Sequence, residues 1–388
     1  MKLTSLALCG AALQLAQASP VTKRAGDVSD ADILNYALTL EHLEASFYEE
    51  GLKNYTKQDF MDAGMAETFY NNIKSVGMDE KSHEQFLTQA LTKAGAKPVA
   101  RCNYSFPSTD VKSFLALGNI LEGVGVSAYL GAAASIMDKT YLTAAGSILT
   151  VEARHSAYLR AALGEAPSAQ PFDNPLDFNE VYTVASPFIV SCPDRNEQLP
   201  VKAFPSLMMS SMDMDAVLTG QKVELAVGDG LKDMNAMDVH AAFVTVTGPV
   251  WADVMSSGQG KYTVTVPKGV AGQSYVVLTN GDKQVSDDNI LAGPAIIEVG
   301  PKMKLGGGLG GGCGGGSSSM SMPSGGTPSP TMSWGMGSPS SWSGMPTSSM
   351  TGSATATPPV FTGGASAMAS SSIGGVAGAL MAVAGFFL

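Results

Sequence analysis

Basic residues are few in this 388-residue chain: 23 Lys and Arg stand against 34 Asp and Glu, for a formal charge of −11. Nucleic-acid phosphates are held by clustered Lys and Arg, so nucleic acid is excluded as a partner. The acidity is compatible with cations, although by itself it is only a solubility feature. Histidine is scarce, with four in all, and so is cysteine, also with four. Cys9 lies in an apolar leader, which leaves Cys102, Cys192 and Cys313. No Gly-x-Ser-x-Gly accompanies the Ser, His and Asp residues, so the signature of a hydrolase nucleophile is missing. The Gly-rich stretch 306–316 has no strand, helix or Lys-Ser/Thr around it and is no phosphate loop.

Both ends carry targeting patterns. "MKLTSLALCGAALQLAQAS" has one Lys, a short apolar run and Ala16-Gln17-Ala18. It reads as a secretory signal peptide over residues 1–18. Lys23-Arg24 is either a second processing point or an exposed linker. The last residues, "IGGVAGALMAVAGFFL", follow the small, polar "TGGASAMASSS". This is the pattern of a GPI-anchor signal, a tail over 365–388 with Gly363 or Gly364 as the attachment residue. A C-terminal membrane helix is the competing reading, for which the tail is short and Gly-rich. Secretion gives meaning to two N-glycosylation sequons, at Asn54 and Asn103, both expected on the surface. It also permits disulfides. Cys102 and Cys192 are expected to pair, tying the first domain to the region downstream of it, with Cys313 left over.

Residues 28–165 have helical periodicity, with segments near 29–52, 65–94, 110–137 and 140–163. Ser29 and Asp30 supply a helix start, Gly95 and Pro98 a stop, and "PSTD" over 107–110 another start. The connection 95–109 is long enough to run the length of a bundle. From about 172 to 302 the pattern changes. "EVYTVASPFIVSC", "KVELAVG", "AAFVTVTGPVWADVM", "KYTVTV" and "SYVVLTN" predict short strands, and "TNGD" a hairpin turn at 279–282. The fold class is therefore a multidomain α plus β chain, a four-helix bundle followed by an all-β sandwich-like domain. Residues 303–364 are Gly, Ser, Thr, Met and Pro, a composition that buries no core and predicts a disordered, O-glycosylated stalk.

Two of the four histidines stand in one frame: "EKSHEQFLTQAL" at 80–91 and "EARHSAYLRAAL" at 152–163. Glu80 and His83, like Glu152 and His155, are one helical turn apart and share a face. Each pair lies on an apolar stripe: Ile73, Val76 and Leu87 flank the first, Ala145, Ile148 and Leu159 the second. Charge on a buried helix face is costly unless paired or bound to metal. The other two helices each carry a lone glutamate on their stripe, Glu41 and Glu122. Each has a tyrosine seven residues on, Tyr48 and Tyr129. A duplicated helix hairpin explains the repetition.

A Glu from each of two helices plus Glu-x-x-His from each of the other two is the di-metal carboxylate pattern of ferritin-like bundles. Through "LTLEHLEASFYEEGL", "EKSHEQFL", "LEGVGVSAYL" and "VEARHSAYLR" the chain resembles that superfamily, and more closely the ferritin-like secreted fungal proteins of stress-response or late sexual development type. "NEVYTVASPFIVSCP" and "LPVKAFPSL" resemble that family's downstream region. The resemblance implies Glu41, Glu80, His83, Glu122, Glu152 and His155 as metal ligands, backed by Tyr48 and Tyr129. Glu44, one turn beyond Glu41, is an alternative ligand; the spacing to Tyr48 favours Glu41.

Four carboxylates and two imidazoles suit iron, with manganese as the second choice. The expected chemistry is reaction of oxygen or peroxide at a reduced di-iron centre, at a cell surface reached through the lipid anchor. A displayed wall protein, its β domain binding cell-wall glycans and its bundle a scaffold, is the competing reading. His42 and His240 have no such context, and His42 is expected in a solvated or interface position.

Overall fold

The computed structural model describes residues 28–210, 217–228 and 238–301. The signal peptide, the dibasic pair, Cys313, the stalk and the anchor residues Gly363 and Gly364 lie outside the described residues.

Four long helices form the first half: α1 (Asp30–Asn54), then after a short α2 (Lys57–Asp62), α3 (Glu67–Lys93), α4 (Val111–Ala132) and α5 (Lys139–Ala162). They pack as two hairpins, α1 on α3 and α4 on α5, with α1 also against α4. Their starts follow local chemistry. The Ser29 hydroxyl accepts from the Asp32 amide while the Asp32 carboxylate accepts from Ser29, a reciprocal cap that satisfies two otherwise orphan donors. Asp110 and Ser113 repeat it at α4, and Asp138 accepts from the Thr140 amide at α5. Helix α4 ends at Ala132, short of the predicted 137, and a single 3-10 turn follows. The corner after it is fastened to α1: both Asp30 carboxylate oxygens accept from backbone, at 2.8 Å from Met137 and 2.8 Å from Asp138.

The long connection from α3 to α4 carries β1 (Asn103–Tyr104), paired antiparallel with β2 (Ile189–Ser191). A disulfide joins Cys102 to Cys192 beside this pair. Asn54 and Asn103 are both exposed. "EVYTVASPFIVSC", expected as a strand, is mostly helix: α6 spans Phe178–Ala185, a 3-10 turn follows, and only Ile189–Ser191 is extended. The deciding residues precede the valines. The Asp177 carboxylate accepts from Asn179 and Glu180, and Glu180 reaches back to the Asp177 amide. This cap outweighs the strand preference of Val, Tyr and Thr, and places Val181 and Ala185 on one buried face.

The remaining strands are β3 (Leu207–Met209), β4 (Lys222–Val227), β5 (His240–Phe243), β6 (Val250–Ala252), β7 (Val254–Gly258), β8 (Lys261–Thr265), β9 (Gly272–Thr279) and β10 (Ile290–Val299). They form two four-stranded antiparallel sheets, ordered β10-β9-β5-β6 and β3-β4-β8-β7. Alternate side chains from both sheets, among them Leu225, Val264, Phe243, Val276 and Leu278, share one core, which makes a sandwich. The predicted tight turn at "TNGD" is absent. Strands β9 and β10 do pair, but residues 280–289 loop between them, closed by the Asn280 amide donating to the Asn289 carbonyl. A two-residue turn of this kind needs positive φ at Asn280 and Gly281, and neither adopts it.

The bundle meets the sandwich along α4 at Gly123 and Ser127, spaced one turn apart; Gly131, a turn further on, meets the segment that leads into α6. Tyr275 of β9 donates to the Gly123 carbonyl at 3.0 Å and lies 2.9 Å from the Ser127 hydroxyl. Gln273 donates to the Ile120 carbonyl at 3.1 Å. Arg160 of α5 clamps Glu298 of β10 with two bonds, at 2.9 and 2.7 Å. At Gly131 a Cβ would sit 1.8 Å from the backbone oxygen of Leu176. Gly131→Ala is therefore expected to lower stability by about 3 kcal/mol, because backbone must move. The check is thermal unfolding, in which Gly146→Ala, with open space around its Cβ position, is the control that should not destabilise.

Candidate metal centre

At the middle of the bundle the apolar stripes are interrupted by acids. Glu41 from α1, Glu80 from α3, Glu122 from α4 and Glu152 from α5 are all 0% exposed. His83 Nδ1 lies 3.0 Å from Glu152, 3.2 Å from Glu80 and 3.4 Å from Glu41. His155 Nδ1 lies 2.8 Å from Glu80 and 3.3 Å from Glu122. The two imidazoles face one another at 6.5 Å between centroids.

These side chains form two overlapping groups, Glu41, Glu80, His83 and Glu152, and Glu80, Glu122, Glu152 and His155. Within each, one donor atom per residue lies within 4.8 Å of the others. Glu80 and Glu152 belong to both. The arrangement has the internal symmetry that the repeated motifs describe. Tyr48 of α1 donates to Glu122 of α4, and Tyr129 of α4 donates to Glu41 of α1. Each tyrosine takes one oxygen of its glutamate and leaves the other free. Glu41 Oε2, Glu122 Oε2, Glu80 Oε1 and Glu152 Oε1 are buried and meet only the imidazole nitrogens, and Glu152 Oε2 is buried with no hydrogen-bond partner. Buried polar atoms are nearly always paired. Here these oxygens, with no partner but imidazole nitrogen, gather in two groups, the donor set of hard or borderline cations. The residues present thus fit a pair of divalent ions, whose charge four carboxylates neutralise.

Glu44 stands apart from both groups but is also buried, 4% exposed. Its Oε1 lies 2.9 Å from where a Cβ on Gly125 would be, and Glu152 Oε2 lies 3.3 Å from the same point. Gly125 is three residues after Glu122, as Glu44 is three after Glu41. The symmetry fails at this one pair: a carboxylate on α1 fills the space that glycine leaves on α4. Gly125→Ala is expected to push Glu44 off its seat. Thermal unfolding should move by only a few degrees, since alanine favours helix by about 1 kcal/mol. Ion affinity, read by calorimetry, should fall about tenfold, the scale of losing a carboxylate that backs a ligand.

Burial and mutual repulsion push the acids up. Burial, then the neighbouring carboxylates, raises Glu44 and Glu152 well above the usual range. Burial raises Glu41 to about 7, against the pull of His83. Burial raises Glu122 as well. Glu80 is the exception: burial acts to raise it, but His155 and His83 together hold it below the ordinary value. The histidines respond in kind. Burial disfavours their charge, yet Glu152, Glu41 and Glu80 push His83 up to about 12, and Glu122 and Glu80 push His155 up to about 11. Among these carboxylates both imidazoles therefore favour their protonated, cationic form.

Beyond the motif residues, Asp79 Oδ2 lies 3.3 Å from His155 Nε2 and is half exposed. It fixes which ring nitrogen points inward. Asp79 lies off the apolar stripe, so periodicity gives no reason to single it out. His42, expected to be solvated or at an interface, is buried at 6%. Its Nε2 lies 3.1 Å from the Val99 carbonyl and its Nδ1 3.5 Å from Glu84. The long connection after α3 covers it, which the helix pattern alone does not reveal. His240 begins β5 and meets the Trp251 ring edge-on.

A family model described as a ferritin-like domain matches residues 29–165. The protein rds1 of Schizosaccharomyces pombe is 26% identical over 182 residues, which covers 47% of this chain and 44% of that protein. The match thus spans less than half the length of the relative. The matched region coincides with the four long helices and contains all six converging side chains. Residues 29–165 are a ferritin-like domain.

Proposed function

We propose that this protein binds a di-iron centre, or a di-manganese one, through Glu41, Glu80, His83, Glu122, Glu152 and His155, and reacts there with oxygen or peroxide. The observation that carries the proposal is the pair of overlapping donor groups sharing Glu80 and Glu152. A reduced pair of such ions supplies electrons to oxygen or peroxide when bound. The chain's own part is to hold the ions close together, to keep bulk water away from four fully buried carboxylates, and to fix Glu41 and Glu122 through Tyr129 and Tyr48. Carboxylates that change between bridging and terminal modes suit a pair that changes oxidation state.

The proposed location is the cell surface, with secretion, N-glycosylation at Asn54 and Asn103, and a lipid anchor attached at Gly363 or Gly364. A disulfide between Cys102 and Cys192 and two exposed sequons support an oxidising compartment. The alternative, a wall protein whose sandwich binds glycans and whose bundle is a scaffold, draws on the same display features. Metal analysis with an oxygen electrode separates the two. About two Fe or Mn per chain, with oxygen consumed on adding a reductant, supports the redox centre. A folded, metal-free protein that takes up neither ion after reconstitution supports the scaffold.

A further inference from the structure

One turn from the carboxylates, toward the start of α1 and the end of α4, the four helices do not close completely. A cavity of about 20 Å3 remains, lined by Ala37 and Leu40 of α1, Leu87 of α3, Ala128 and Tyr129 of α4 and Ala144 of α5. Alanines stand where leucines would fill the space. The hydroxyl of Tyr129 is already given to Glu41, so the ring presents mainly carbon to the cavity. The cavity exceeds the roughly 10–15 Å3 that one water needs, but a buried water also needs two to four polar partners. Among the side chains that line it only Tyr36, Tyr129 and Tyr141 carry a polar atom, and the Tyr129 hydroxyl is already taken. A cavity lined chiefly by carbon favours small apolar molecules over water. Phe86, 45% exposed, also lines it and marks its outer edge.

We propose that this cavity is a binding site for dioxygen, held one side chain away from the metal ligands through Tyr129 and Glu41. The proposal rests on the reading of the centre as one that reacts with oxygen. It adds the site from which that gas arrives and its route, through the apolar end of the bundle.

Xenon serves as the probe. Crystals of the metal-stripped protein under xenon pressure are expected to show one xenon atom among Ala37, Leu87 and Ala128, and Ala37→Leu or Ala144→Leu should abolish it. These two partly exposed positions keep the test alive if one variant fails to fold. In the iron-loaded protein the same variants should keep two ions and lower the rate of oxidation by dissolved oxygen about tenfold, while oxidation by the polar oxidant hydrogen peroxide stays within about twofold of wild type. Xenon missing from the cavity, or an unchanged oxygen rate in a variant that has lost xenon, overturns the proposal. Failure of the wild-type protein to bind ions overturns the metal reading instead. The xenon experiment, which uses no metal, tells the two failures apart.

Discussion

Glu152→Gln empties both ion positions at once, whereas Glu122→Gln leaves one ion bound. Glu152, like Glu80, belongs to both donor groups, while Glu122 belongs only to the group with His155. Glutamine keeps the shape and removes the charge. Burial and the surrounding carboxylates hold Glu152 well above its usual range, which favours its neutral form in the metal-free protein. The substitution should therefore leave metal-free stability within about 1 kcal/mol of wild type. The effect is concentrated in ion binding: loss of a carboxylate shared by both groups should weaken affinity by at least about a hundredfold. Glu80→Ala makes the contrast. Glu80 is the carboxylate that both His83 and His155 hold down, and removing it takes one counter-charge from both imidazoles at once. It should lose both ions and also destabilise the metal-free bundle by about 3–5 kcal/mol. Metal content and thermal unfolding of the three variants are the readouts.

Ion affinity should climb steeply with pH. His83, at about 12, and His155, at about 11, are protonated in the metal-free protein at neutral pH. A metal ion needs the lone pair, so each histidine that becomes a ligand releases a proton. One such proton per ion gives about a tenfold gain in affinity for each unit of pH, or about a hundredfold for loading the pair, and the protons held by the raised carboxylates steepen this further. Stability of the metal-free protein should run the other way. Histidines raised above their unfolded value of 6.5 stabilise fully below that value and lose the contribution as pH rises toward 11 and 12. Raised carboxylates have the same sign, because the folded form keeps protons that the unfolded chain gives up; for Glu41 that loss runs from about 4.5 to about 7. Glu80, held low, is the opposite case and contributes less as acid is added. Raising pH should thus weaken the metal-free bundle and tighten the loaded one. Calorimetry in buffers of different ionisation heat counts the protons, and thermal unfolding with and without metal follows the divergence. An affinity independent of pH between about 6 and 9 would contradict imidazolium in the empty site.

The acids and histidines that gather inside the bundle were legible because they break a rule twice. A glutamate and a histidine on an apolar stripe is a costly pattern, and its repetition at 80–83 and 152–155 left few explanations. Glu41 and Glu122 followed from their shared spacing to tyrosine, and those tyrosines cross to each other's glutamates in the fold. Features that depend on contact across elements were not legible. Asp79 looks like any exposed acid of α3 until His155 of α5 is brought beside it. Gly125 looks like a weak spot in a helix until the carboxylate of Glu44 occupies its missing side chain. His42 looked solvated because nothing in α1 foretells that the loop after α3 folds over it. The valine-rich "EVYTVA" is helical for a local reason: the Asp177–Glu180 cap that precedes it outweighs its strand preference. The sheets were readable as strands and as a sandwich, but the seam on α4, built from Gly123 and Ser127, needs both partners in view.

The most direct test is anomalous scattering at the iron and manganese edges from crystals of protein purified without chelator. The expected result is two peaks of one metal about 3.5–4 Å apart, between Glu80 and Glu152, with His83 on one and His155 on the other. A well-ordered bundle with no peak at either edge, even after soaking in ferrous or manganous salt at neutral pH, would contradict the metal centre.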